Sequence, residues 1–92
     1  MILTFADPDT EQLFKTESNR RFNAIARPAL RKLIQMNRAR VLPDLAVPPK
    51  SRLEPLKGKA AGLHSIRIND QWRIVFRWTA SGPVNVAIVD YH

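Results

Sequence analysis

The sequence contains no cysteine, three glycines and two histidines in 92 residues, and these scarcities exclude several kinds of site. Without cysteine there is no disulfide framework and no thiolate chemistry. The two histidines have no partners at metal-ligand spacing, so a zinc site is improbable. No Walker loop or GxGxxG motif occurs. We therefore predict a protein with no metal and no cofactor.

Long apolar runs are also missing. None approaches the length of a membrane span, and the start, MILTFADPDT, lacks the basic and apolar regions of a signal peptide. We expect a cytoplasmic protein with no membrane partner. A hydrophobic content of 45% in 92 residues fits one small globular domain, residues 1–92.

Acidic residues are in the minority. Fifteen basic residues against eight acidic ones give a net charge of +7. This excess predicts a polyanionic partner, and nucleic acid fits better than a membrane because no basic tail stands apart from the core. Residues 18–43 contain seven basic residues and no acidic one. That basic face is either a solvated helix surface or a docking surface for nucleic acid or an acidic protein.

The first half of the chain predicts two helices. A short one, residues 10–16, would be capped by Asp7 or Asp9 and would bury Leu13 and Phe14. The second carries an apolar stripe, and Pro28 predicts either its start or a kink. The stripe is Ile25, Ala26, Ala29, Leu30, Leu33 and Ile34. Residues 1–5 are a possible edge or inner strand, and residues 41–52, with three prolines, are predicted to form a loop in which the Pro48–Pro49 pair favours an extended path.

The second half predicts a three-stranded antiparallel sheet within residues 53–92. Each strand-like run alternates in hydrophobicity, which is typical of one buried and one solvated face. The joins at residues 69–71 and 79–83 are rich in turn residues. The apolar parity is formed by Ile66 and Ile68, then Trp72, Ile74, Phe76 and Trp78, then Val84, Val86 and Ile88.

The register of this sheet concentrates positive charge. If Ile68 faces Trp72 across a three-residue loop, Arg67 lies opposite Arg73 on the solvated face, with Tyr91 near Arg73. Like charges directly opposite each other destabilise a sheet. The face is either an anion site or a surface of solvated arginines whose stems cover the sheet. Before it, Lys57 and Lys59 are placed to meet phosphate.

His64 shares the parity of Ile66 and Ile68, which favours a partly buried histidine over a catalyst. A Ser65/His64/Asp90 triad can be assembled from the residue types, but nothing in the spacing recommends it.

One long pattern resembles a known family. The run RLEPLKGKAAGLHSIRINDQWRIVFRW, followed by VNVAIVDYH, closely resembles HigB toxins, the host-killing group of the RelE/ParE superfamily. The resemblance implies an α+β fold: two N-terminal helices packed on a small, mostly antiparallel sheet of three to four strands. It also implies a type II toxin that cleaves messenger RNA in the ribosomal A site. A HigA-type helix-turn-helix antitoxin would be its partner, and operator DNA would be bound only through their complex.

The resemblance also implies a set of site residues. The terminal Asp90, Tyr91 and His92 would be catalytic, with Arg73 stabilising the phosphate in the transition state. Which of Tyr91 and His92 acts as acid and which as base stays open. Residues that would bind RNA are Lys57, Lys59, Arg67 and Arg77.

Glu54 departs from the family pattern, since some relatives have a catalytic histidine there. The carboxylate is a candidate base or a residue that orients His92. Alternatively, it repels RNA, or it only pairs with Lys57 at the surface.

Two other functions fit less of the sequence. A non-catalytic toxin, acting as a gyrase-type poison or as a co-repressor with its antitoxin, does not use the terminal Asp-Tyr-His. A small RNA-binding protein without cleavage fits the charge alone.

Overall fold

The computed structural model describes residues 1–90 and shows two helices followed by a four-stranded antiparallel sheet. The helices are α1 (Pro8–Thr16) and α2 (Ala26–Arg38), and the strands are β1 (Glu54–Pro55), β2 (His64–Arg67), β3 (Trp72–Thr79) and β4 (Gly82–Asp90). The strands lie side by side in sequence order. The α+β prediction is confirmed, and a two-residue strand joins the three that the alternation predicts. Within residues 1–90, neither helix is long and apolar enough to cross a membrane.

Helix α1 begins at Pro8, two residues before the predicted start, with Asp7, one of the two predicted caps, at its N-terminus. The Asp7 Oδ1 atom accepts a hydrogen bond from the backbone N–H of Thr10 at 2.7 Å, and Pro8 occupies the first turn. Proline is tolerated there because the backbone N–H groups of a first helical turn have no hydrogen-bond partner within the helix, so the N–H that proline lacks is not needed. The helix ends at Glu17, whose φ of 65° is left-handed. Leu13 is fully buried, as predicted.

Helix α2 resolves the question that Pro28 raises. A short 3-10 turn, Asn23–Ile25, leads into the helix at Ala26, so Pro28 lies in the first turn instead of kinking the middle. Ala29, Leu33 and Met36 are fully buried on the inner face. Ile34, predicted to be in the apolar stripe, is 39% exposed. One residue of helix rotates the side chain by about 100°, which turns Ile34 away from the core that holds Leu33.

The sheet has the predicted register where its buried isoleucines pair across the strands. Ile66 pairs with Ile74, which in turn pairs with Ile88, and all three are buried. In β4 the alternation is interrupted, because the register shifts between Val75 and Arg77 and Asn85 adopts a φ of 54°.

This bulge corrects one prediction. Val84 lies opposite Arg77 and therefore shares the face of Arg77, not the core face of Val86 and Ile88. A bulge adds one residue to a strand, so every residue beyond it changes parity.

The N-terminal segment extends the structure beside β4. Phe5 forms a single parallel bridge with Val86, and the Ala6 N–H donates to the Val86 carbonyl at 2.9 Å. The segment between α2 and β1 is more ordered than a plain loop, with 3-10 turns at Leu42–Ala46 and Pro49–Ser51. Pro48 is extended, as the proline pair predicts, and the second turn begins at Pro49. Leu45 and Ser51 are buried there, which fixes the segment against the rest of the protein.

Candidate anion-binding site

Arg73 is the centre of the candidate site. It lies on β3 between Arg67 of β2 and Val89 of β4, on the sheet face opposite to the isoleucine core. The residue is only 9% exposed. Its Nη1 atom donates a hydrogen bond of 2.8 Å to the Ser65 hydroxyl, and Nη2 lies 3.6 Å from the Glu54 carboxylate. This arginine is therefore held across the sheet and is not a freely solvated side chain.

Ser65 fixes the Arg73 guanidinium through its hydroxyl group. It is fully buried, and its register partners are Glu54 on β1 and Val75 on β3. A hydroxyl at this position accepts the arginine N–H without adding charge. Sequence reasoning placed Ser65 on the solvated parity but gave it no role. The only available signal was a small polar residue one strand away from an arginine.

Glu54 supplies the negative charge beside Arg73. Its side chain is 49% exposed, so water weakens but does not remove the attraction. Among the ion pairs of residues 1–90, the one that Glu54 forms is with Arg73 and not with Lys57. The predicted alternative of a simple surface pair between Glu54 and Lys57 is therefore wrong, because Glu54 contacts the arginine at the centre of the site.

Arg67 lies directly opposite Arg73, which confirms the predicted juxtaposition. Its guanidinium forms an ion pair with Asp70 and donates from Nε to the Asn69 carbonyl at 3.2 Å. The two neighbouring arginines thus have separate carboxylates. This arrangement reduces the repulsion that opposite like charges produce in a sheet.

The other predicted RNA contacts lie around the β1–β2 connection. Lys57 and Lys59 are exposed at the 3-10 turn Gly58–Ala60. Arg77 is also exposed, and its guanidinium packs against Gly62, where an added Cβ would lie 2.7 Å from Nη1. The structure therefore brings Arg77 to the loop that carries the two lysines.

The terminal residues are described only in part. Asp90 pairs with Trp72 across the β3–β4 ladder, so its parity differs from that of Arg73. The Gln71 amide donates to the Asp90 carboxylate at 3.1 Å. Tyr91 and His92, the other two predicted catalytic residues, lie outside the residues that the structure describes.

His64 is partly buried, as the sequence predicts. Its ring stacks on Phe76 with centroids 6.1 Å apart, and Nδ1 is a buried atom without a hydrogen-bond partner among residues 1–90. Adjacent residues of a strand point to opposite faces. The Ser65 and His64 side chains are therefore on opposite sides of the sheet, which excludes a catalytic triad of Ser65, His64 and Asp90.

Chemically, this arrangement suits an oxyanion. A guanidinium that is largely desolvated and already oriented interacts with phosphate more strongly than a mobile surface lysine does. Arg67 adds a second cation one strand away. The face offers two planar donors for a phosphodiester, with Glu54 limiting the net positive charge between them.

Comparisons with known proteins identify the family of the chain. Residues 3–92 match the family described as the RelE-like toxin of the type II toxin-antitoxin system HigB. The chain is also 34% identical over 87 residues to Toxin HigB-1 of Vibrio cholerae serotype O1 (strain ATCC 39315 / El Tor Inaba N16961), an alignment that covers 92% of each protein. A family of this kind implies an antitoxin partner. The matched length and identity together show that this chain belongs to the HigB-like toxins of type II toxin-antitoxin systems.

Proposed function

We propose that this toxin is a metal-free endoribonuclease that cuts messenger RNA in the ribosomal A site and so inhibits translation and growth. The observation that carries the proposal is the orientation of Arg73. Ser65 and Glu54 hold its guanidinium on the sheet face opposite to the isoleucine core, on the strand next to the one whose sequence continues into Tyr91 and His92.

The reaction needs three kinds of group. The 2′-hydroxyl of a nucleotide attacks the adjacent phosphorus while a base removes its proton and an acid protonates the departing 5′-oxygen. Cationic donors stabilise the charge that develops on the phosphate oxygens. In this proposal Arg73 supplies that stabilisation, and Tyr91 and His92, supported by Asp90, carry the protons.

Glu54 has a positioning role in this scheme. A carboxylate 3.6 Å from the guanidinium orients Arg73 before RNA binds. It also contributes negative charge beside an arginine that is largely desolvated. The same carboxylate repels phosphate, so binding of RNA competes with the Glu54 pair.

The remaining cations hold the message. Lys57, Lys59 and Arg77 surround the β1–β2 connection, and Arg67 lies beside Arg73. Lys57, Lys59 and Arg77 are at exposed positions, so proximity must come largely from the ribosome, which presents the message in a fixed geometry. We further propose a HigA-type helix-turn-helix antitoxin as the partner, operator binding through the complex alone, and action in the cytoplasm.

Paused ribosomes test the cleavage. Purified toxin is added to ribosomes stalled on a defined message, and new RNA ends are mapped. The wild type is expected to produce cuts in the A site, and Arg73→Gln or the Tyr91→Phe, His92→Gln double variant to reduce them about a hundredfold or more.

Arg21→Gln is the matched control, since Arg21 forms an exposed ion pair with Asp9 at 3.5 Å on the helical side. It should cut like the wild type. If stoichiometric wild-type toxin leaves the A-site codon intact, the proposed activity is wrong.

A further inference from the structure

A cleft of about 340 Å³ lies apart from the Arg73 site, between α2, the segment that contains Pro48 and Lys50, and the end of β2. Four basic side chains line it: Arg31, Lys32, Lys50 and Arg67. Pro48 and Ile68 form part of its apolar wall. The cleft therefore combines concave shape with concentrated positive charge.

No carboxylate belongs to the lining that the structure describes for this cleft. The nearest compensation for Arg67 is Asp70, whose side chain is 97% exposed and therefore strongly screened by water. Lys32 is held in place by a hydrogen bond to the Ser51 hydroxyl. Burial, and then the charge of Arg31, lower the pKa of Lys32. The lysine thus lies in a site that disfavours its charge until an anion arrives.

We propose that this cleft binds a backbone phosphate of the RNA, at a nucleotide other than the one being cut. The inference rests on the proposed function, because it assigns a further contact to the same RNA. Arg67 makes the connection: it lines the cleft and is also the register partner of Arg73. An RNA strand bound at Arg73 can therefore place a neighbouring phosphate at the cleft through Arg67.

Charge chemistry also favours phosphate as the occupant. Arginine presents a planar fork that matches phosphate oxygens, and lysine adds a compact charge. The side chains come from three separate segments of the chain and converge on one concavity. An acidic segment of a protein would use similar contacts, but it gives no reason for the cleft to share Arg67 with the face that carries Arg73.

Binding of a non-cleavable RNA measures this contact without any chemistry. A fluorescent 2′-O-methyl oligoribonucleotide cannot be cut, because the attacking hydroxyl is blocked. Its dissociation constant is measured by anisotropy at several salt concentrations. The test variant is Arg31→Gln, Lys50→Gln, which changes two exposed residues of the cleft.

The matched control is Lys15→Gln, Arg21→Gln. It removes the same two charges from exposed positions outside the cleft lining. Thermal unfolding of both variants verifies that each is folded.

Counterion release sets the expected size of the effect. Each phosphate neutralised on a single strand contributes about −0.7 to the slope of log affinity against log salt, or about fivefold between 1 M and 0.1 M salt. Losing the one phosphate contact of the cleft should reduce the magnitude of the slope by about 0.7 and weaken binding at 0.1 M salt by about fivefold. The control should change affinity several times less.

Equal losses in the two variants would overturn the inference, because overall charge would then explain the binding. It would equally be overturned if RNA binding were unchanged in the cleft variant while binding of polyglutamate fell, since the cleft would then serve an acidic protein. Failure of the proposed function is separable from both results. Loss of cleavage by the wild type, with RNA binding still dependent on the cleft, would refute only the nuclease proposal.

Discussion

Replacing Glu54 by glutamine should make the toxin less stable and should make it bind RNA more tightly. The substitution keeps the size of the side chain and removes the charge that faces Arg73 at 3.6 Å. In the free protein, Arg73 then keeps its 2.8 Å hydrogen bond to Ser65 but loses the attraction of the Glu54 charge. In the RNA complex, the phosphate takes over that role and no longer meets a carboxylate.

The size of the stability loss follows from burial. Exposed ion pairs contribute about 0.2–1 kcal/mol, whereas leaving one partner of a buried pair alone costs about 3–5 kcal/mol. Arg73 has 11% side-chain exposure and Glu54 has 49%, so the pair is between these limits. Its distance exceeds the roughly 2.7–2.9 Å of a charge-assisted hydrogen bond, which favours the lower part of the range. We expect a loss of about 1–2 kcal/mol in the free energy of unfolding.

The RNA effect should have the opposite sign. If competition with Glu54 costs about 1 kcal/mol on binding, its removal increases affinity about fivefold. Urea unfolding measures the first quantity, and anisotropy with the 2′-O-methyl oligoribonucleotide measures the second. Glu11→Gln is the control, because it removes a carboxylate from the exposed pair with Lys15 on α1. That variant should lose at most about 0.5 kcal/mol of stability.

Two results would refute this reasoning. Weaker or unchanged RNA binding, with a stability loss no larger than that of Glu11→Gln, would show that Glu54 does not compete with phosphate for Arg73. A hundredfold or greater fall in cleavage of bound RNA would identify Glu54 as a general base instead.

Three further substitutions test how the fold supports the site. Gly62→Ala should destabilise the protein by about 1–3 kcal/mol in urea unfolding, because the position has a φ of +93° and the new Cβ would lie 2.7 Å from Arg77. The control is Gly58→Ala, which has open space around a φ of +66° and should lose less stability. Equal losses in the two variants would argue against the contact with Arg77. Thr10→Val should lower the free energy of unfolding by about 1–3 kcal/mol, since the buried Thr10 hydroxyl accepts a hydrogen bond from the Ile88 N–H at 3.1 Å and donates one to Asp7. Thr16→Val, at an exposed position, is the control. A Thr10→Val variant as stable as the wild type would contradict this role of the hydroxyl. The backbone N–H groups of Arg40 and Val41 lower the pKa of Asp44 from its ordinary value of 3.8. The ionised carboxylate therefore stabilises the fold above that pH, and this stabilisation is lost as the pH falls through the lowered pKa. Asp44→Asn should make the free energy of unfolding depend less on pH in this acidic range, and an unchanged dependence would refute the assignment.

The alternation of apolar residues was enough to predict most of the sheet. A period of two places Ile66, Ile74 and Ile88 on one face, and the short loop at residues 69–71 then fixes Arg67 opposite Arg73. The bulge at Asn85 was not predictable in this way. A strand that contains one extra residue keeps its composition while its parity changes, so Val84 was assigned to the wrong face.

The contacts within the site were harder to predict than its location. Parity indicates which residues share a face, but it does not indicate that Arg73 reaches diagonally across β2 to Glu54. That contact depends on a two-residue strand, β1, which is too short to show any periodicity. The cleft was missed for a similar reason. It joins helix, loop and strand residues that are far apart in the sequence, and only packing brings them together.

The placement of acidic residues explains how this sheet tolerates its own charge. Two arginines face each other on adjacent strands, an arrangement that repulsion would normally disfavour. Each forms an ion pair with a different carboxylate, Arg67 with Asp70 and Arg73 with Glu54. Both carboxylates are substantially exposed, so each pair is weak enough to be replaced by a phosphate that contacts the arginines together. Two weak internal pairs therefore stabilise the free protein while leaving both guanidinium groups oriented for an anion, and under the proposed function the binding of RNA would exchange one set of counter-charges for another.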